Sequence, residues 1–167
     1  FRMSIRLNGA DNDNYHGLAV WTNYQNGIHR SKELGYKYSV CTNYDIVFSE
    51  KDLGVIDKII SDLESSSKKG YFMYQKAQEG DTLKTIFFII DNDFFLEKFK
   101  LIRTESEYIE DIKSVGSPSN GLENYVYNVL KNDLSSIIVA DTNETLLFPT
   151  SDVNLFSCVE YSSVLPV

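Results

Sequence analysis

The side chains here that could attack a substrate are few: His16, His29, Cys41 and Cys158 are the only histidines and cysteines in the chain. A thiolate close to a helix N-terminus and a histidine is activated by both. The tail from Asp152 to Val164 reads as helix or strand, and as a helix it would begin near Cys158. His16 reads as the opening of a strand, with His29 beyond a turn at Asn26-Gly27. A pair of His16 as base and Cys158 as nucleophile is therefore one candidate catalytic site. The competing reading is that both thiols are free and buried, with no chemistry.

The order of these residues, with His16-Gly17-Leu18-Ala19-Val20 as a strand and Cys158 near the C-terminus, resembles circularly permuted papain-like hydrolases and acyltransferases. In those families a strand-borne His faces a Cys late in the chain. The resemblance implies a cysteine hydrolase or acyltransferase using Cys158 and His16. It covers two short patches, and Ser157-Cys158-Val159-Glu160 departs from the sequence around the nucleophile in those families.

Carboxylates are the other candidates. Glu105, Glu107, Glu110 and Asp111 form the densest acidic stretch. On a helix Glu107, Glu110 and Asp111 share one side, at i, i+3 and i+4. Such a side is either solvated or a docking surface for lysine or arginine of a partner. Tyr108 is a further contact candidate, or else the core residue of that helix. The partner-binding set on this reading is Glu105, Glu107, Tyr108, Glu110 and Asp111.

Other chemistries lack their residues. There is no Gly-x-Gly-x-x-Gly, no Gly-Lys-Ser/Thr and no Gly-x-Ser-x-Gly. Two Cys and two His without a close pair do not suggest a zinc site. Asp11-Asn12-Asp13 and Asp91-Asn92-Asp93 begin like calcium loops, but the Gly and Glu that should follow are missing, so both read as turn or strand-end residues. No metal and no cofactor are expected.

Charge points to the class of partner. The formal net charge is −8. Residues 1–49 carry five basic and four acidic groups, residues 50–113 ten and fourteen, and residues 114–167 one and six. An acidic chain is a poor match for nucleic acid or an anionic membrane and a good match for a basic protein. The longest purely apolar run, Ile86–Ile90, is far short of a membrane span. With no signal peptide read at the start, a cytoplasmic setting is expected.

The elements that must position these residues follow from periodicity. Met3–Leu7, Leu18–Thr22, Tyr36–Cys41 and Asp45–Phe48 read as strands, with a turn from Asn8 to Asn14. Ser49 caps a helix whose stripe is Leu53, Ile56, Ile60 and Leu63, with Ile59 beside it. Tyr71–Lys76 and Thr82–Ile90 read as a hairpin around Glu79-Gly80-Asp81, with Ile86–Ile90 covered on both faces. Phe94–Ile102 is strand or short helix. Ser106–Val115 reads as a helix with Tyr108, Ile112 and Val115 inward. Asn120 and Glu123 start another helix, striped by Leu122, Tyr125, Val126, Val129 and Leu130. Ile137–Ala140 and Leu146–Phe148 read as a last hairpin.

The expected fold is α+β. Residues 1–167 form a single globular domain whose largely antiparallel or mixed sheet is packed by about three helices. Two functions remain open. The first is a non-enzymatic acidic protein that neutralises a basic partner, possibly a nuclease toxin, in the manner of toxin-immunity proteins, antitoxins and phage inhibitors. The second is the cysteine hydrolase or acyltransferase.

Overall fold

The computed structural model describes residues 12–43, 46–48, 50–77, 80–117, 121–141 and 157–158. Its elements are α1 (Asn12–Glu33), β1 (Tyr38–Thr42), β2 (Ile46–Val47), α2 (Glu50–Ser66), β3 (Gly70–Ala77), β4 (Gly80–Asp91), α3 (Asn92–Lys98), α4 (Glu105–Ser114), α5 (Leu122–Leu130), β5 (Ile138–Asp141) and β6 (Ser157–Cys158). The fold is α+β, with five α-helices around a four-stranded mixed sheet.

The strand order is β1-β4-β3-β5. β3 and β4 form the expected hairpin, and β1 joins β4 antiparallel, Cys41 opposite Phe88. β5 lies parallel to β3, Tyr71 opposite Ile138. Ile86–Ile90 reads as a continuous apolar run because β4 is central and both of its faces are covered. Phe88 and Ile90 face α1, α3, α4 and α5, in a core that holds Trp21, Phe95, Tyr108 and Tyr125. Phe87 and Ile89 face α2, against Ile59 and Leu63. Phe72 stacks on its cross-strand partner Phe88, ring centroids 5.1 Å apart.

α1 overturns the strand readings near the N-terminus. Leu18–Thr22 is helix rather than strand, and Asn26-Gly27 is mid-helix rather than a turn. Burial explains this. Trp21, Tyr24, Gln25 and Ile28 recur at i, i+3, i+4 and i+7 and are all buried. Gln25 bridges to the segment after α3, donating to the Lys100 carbonyl at 2.6 Å and accepting from the Ile102 amide at 3.3 Å. The stretch Phe94–Ile102 is mostly α3, capped by Asp91, which accepts from the Phe94 amide at 3.0 Å.

In α2 the buried stripe is rotated from the one the sequence suggests. Ile59 and Leu63 are inward while Leu53 is exposed. Helix α4 starts at a full capping box made by Thr104 and Glu107. Gly121, not Asn120, occupies the N-cap of α5, without a side-chain cap; Asn120 lies outside the described residues. Met3–Leu7, Asn8–Asp11, Glu79, Leu146–Phe148 and most of Asp152–Val164 lie outside them as well.

The structure also corrects the premises of the catalytic pair. His16 sits within α1, not on a strand, and Cys158 is in β6, paired antiparallel with Ile46, not at a helix start. No strand-borne histidine is available here to face a helix-borne thiol.

Three tyrosines report on core integrity at high pH. Burial pushes Tyr71 up to about 12, and Tyr108 and Tyr125 higher still; Tyr125 is raised further by its bond to Asp111. The unfolded value is about 10. A phenol raised on folding contributes stability that is whole below pH about 10 and is lost as pH climbs through the folded value. Tyrosinate absorbance should therefore rise late and cooperatively, together with loss of circular dichroism. A smooth titration of all eleven tyrosines near pH 10 would contradict this packing.

Candidate docking groove

Helix α1 ends in a Schellman motif. The Tyr36 amide bonds the Ser31 carbonyl and the Gly35 amide the Lys32 carbonyl, at 3.1 and 3.0 Å, with Gly35 at φ +84°. Only glycine takes that conformation cheaply. The turn sends the chain back alongside the helix as β1. Asn92 locks it there, since its side chain donates to Ser31 Oγ and the Tyr36 carbonyl and accepts from Ser39 Oγ.

Between α1 and β1 lies a cleft of about 580 Å³. That is within the range of roughly 300–1,000 Å³ typical of ligand sites. Its helix wall is Val20, Asn23, Tyr24, Gly27, Ile28 and Ser31, again at three- and four-residue spacing. Tyr24, Ile28 and Cys41 are its buried apolar floor, while Asn23, Tyr36 and Asn43 are polar and nearer the rim. Among the described residues no charged side chain lines it. Burial pushes the Cys41 thiol well above its usual range, so it stays neutral and is a poor nucleophile.

The strand wall, β1, is one of the two edges of the sheet among the described residues, β5 being the other. The Asn43 amide bonds the Ile86 carbonyl and the Asn92 amide bonds the Lys37 carbonyl. In an antiparallel ladder this sets the alternation: Ser39 and Cys41 bond toward β4, while the backbone groups of Tyr38, Val40 and Thr42 point the other way. Among the described residues no strand pairs with that outer edge. Natural edges are usually blunted by charge, proline or a bulge. Tyr-Ser-Val-Cys-Thr has no charge or proline, and its pairing with β4 is unbroken. Val40 is 40% exposed.

The acidic stretch is assembled differently from the sequence expectation. Tyr108 is 0% exposed and cannot touch a partner; it is the core residue of α4. Asp111 is 7% exposed, accepting from Tyr125 Oη at 2.6 Å and pairing with Lys100 at 2.8 Å. Glu107 is engaged at the cap, taking the Arg103 and Thr104 amides at 2.7 and 3.0 Å, and these bonds hold its carboxyl below the usual range. Glu107 and Glu110 are exposed and Glu105 is half-buried. Asp111 turns inward because it stands three residues from Tyr108, beside the buried stripe.

His29 is half-buried on α1; the side chains of His16 and Cys158 lie outside the described residues. Among the described residues no three His, Cys, Asp or Glu side chains gather as metal ligands. No described helix is long and apolar enough to cross a membrane. The groove is hidden in the sequence because its helix wall reads locally as strand and turn. The available signal was the uncharged strand just after a glycine-closed helix. Comparisons with protein-family models, with curated proteins and with solved structures found no match.

Proposed function

We propose that the chain is a non-enzymatic binding protein that neutralises a basic protein partner. It accepts an extended segment of that partner as an added strand on β1. The observation that carries the reading is the outer edge of β1, where among the described residues the backbone donors and acceptors of Tyr38, Val40 and Thr42 pair with no strand and lie beside a cleft. Strand addition satisfies such groups directly. The net charge of −8 draws a cationic protein from a distance, and the uncharged groove then sets what is bound. A role in toxin immunity, as an antitoxin or as a phage inhibitor uses the same physics.

The test is panning a phage-displayed library of random linear peptides on the native chain. Selected peptides are expected to carry lysine or arginine flanks, to weaken with salt, and to protect the amides of Tyr38, Val40 and Thr42 from hydrogen exchange. Val40→Pro should abolish binding with the fold intact, because the Val40 amide makes no bond within the sheet. Val40→Lys, which blunts the edge by charge, should do the same. Peptides that bind without protecting these amides would rule out the edge.

A further inference from the structure

We infer, on the strand-addition reading above, that the bound segment is anchored by one large uncharged side chain seated in the cleft over Gly27. Side chains alternate along an added strand. Those paired beside Ser39 and Cys41 must point toward α1, as Ser39 and Cys41 do. The space they enter is already shaped. Among the described residues a Cβ built on Gly27 meets nothing within 4 Å, although Gly27 belongs to the helix wall. Below it lie Tyr24, Ile28 and Cys41, all buried. Tyr24 Oη is committed to the Thr85 carbonyl at 2.8 Å and to Asn43 at 3.0 Å. Ser39 Oγ is committed to Asn92 at 2.6 Å. The polar atoms near the floor therefore have partners, and what remains to be covered is apolar.

Gly27 contributes no side chain to this space, which a large residue at position 27 would fill. Leu, Ile, Met or Phe fits that space. A lysine or glutamate there would be desolvated without a counter-charge, since among the described residues nothing charged lines the cleft. The anchor is thus distinct from the cationic residues that steer the partner, which belong at the rim or beyond.

The experiment pans the same random peptide library on the wild type and on Gly27→Phe. The wild type is expected to select one conserved large apolar position among β-branched neighbours. The Gly27→Phe protein should lose that consensus while keeping the β-branched pattern. For a wild-type peptide, replacing the anchor with lysine should weaken binding about a hundredfold or more, and Gly27→Phe should weaken it about tenfold or more. Gly27→Ala should leave binding nearly unchanged, and Gly27→Leu serves if the phenylalanine variant fails to fold. If Val40→Lys abolishes binding but the Gly27 variants and the anchor replacement do not, the anchor is wrong and strand addition stands. If Val40→Lys leaves binding intact, the underlying reading falls with it.

Discussion

Trp21→Ala should lose about 3–5 kcal/mol of folding stability. Trp21 is the single tryptophan, 1% exposed, and it joins α1 to the rest of one core. Its ring meets Phe95, Phe99 and Tyr125 at centroid distances of 5.4, 5.0 and 5.5 Å. Alanine there leaves a cavity bounded by three other rings, which cannot collapse without moving α3 and α5. With domain stabilities of about 5–15 kcal/mol, the variant should be marginal. Trp21→Phe should lose much less. It keeps most of the contacts and removes the indole Nε1, a buried donor with no hydrogen-bond partner among the described residues. Urea denaturation followed by far-ultraviolet circular dichroism measures both. A loss below about 1 kcal/mol for the alanine variant would mean that α1 is not held by this contact.

The second large effect reverses the usual sign of a helix glycine. In α2, Gly54→Ala should stabilise by about 0.5–1 kcal/mol, since among the described residues nothing lies within 4 Å of the new Cβ. Gly17→Ala should instead destabilise by about 1–3 kcal/mol. A Cβ there would stand 2.7 Å from Tyr108 Oη. Tyr108 is fully buried against Tyr125 and has no room to withdraw. Its hydroxyl has no hydrogen-bond partner among the described residues, so Tyr108→Phe alone should be neutral or stabilising. It should also rescue most of the Gly17→Ala loss by removing the clashing oxygen. A double-mutant cycle read from chemical denaturation decides the matter. Strict additivity of the two substitutions would show that the clash is not the cause.

What was legible in the sequence follows the strength of local pattern. The β3–β4 hairpin, α2, α4 and α5 are recovered from alternation or clear stripes, and the covered character of β4 follows from its unbroken apolar run. Helix α1 was not legible. Asn12, Asn14, Asn23 and Asn26 with Gly17 and Gly27 give it poor intrinsic propensity, so it reads locally as strand and turns. Burial of Trp21, Tyr24 and Ile28 overrides that preference, and burial is a tertiary fact. The same limit applies to α4. Spacing places Asp111 correctly beside Glu107, but only the partners Tyr125 and Lys100 reveal a structural acid rather than a docking one. The edge of β1 could not be seen before the strand order was known, because being an edge is a property of the sheet.

The parallel pairing of β5 with β3 carries a consequence for how the chain folds. β3 and β4 close locally, Ala77 pairing with Gly80, and β1 reaches β4 across α2 and β3, Thr42 pairing with Phe87. β5 is different: the chain leaves the sheet at Asp91 and returns only at Ile138, after three helices. Its loop-closure entropy is the largest in the sheet, and that cost precedes any reward from Tyr71 and Ile138 meeting. The hairpin is thus the early scaffold, and β5 is the closing stave, set last and the first to loosen. Until it docks, β3 is a bare margin; once it has docked, the margins of the sheet among the described residues are β1 and β5.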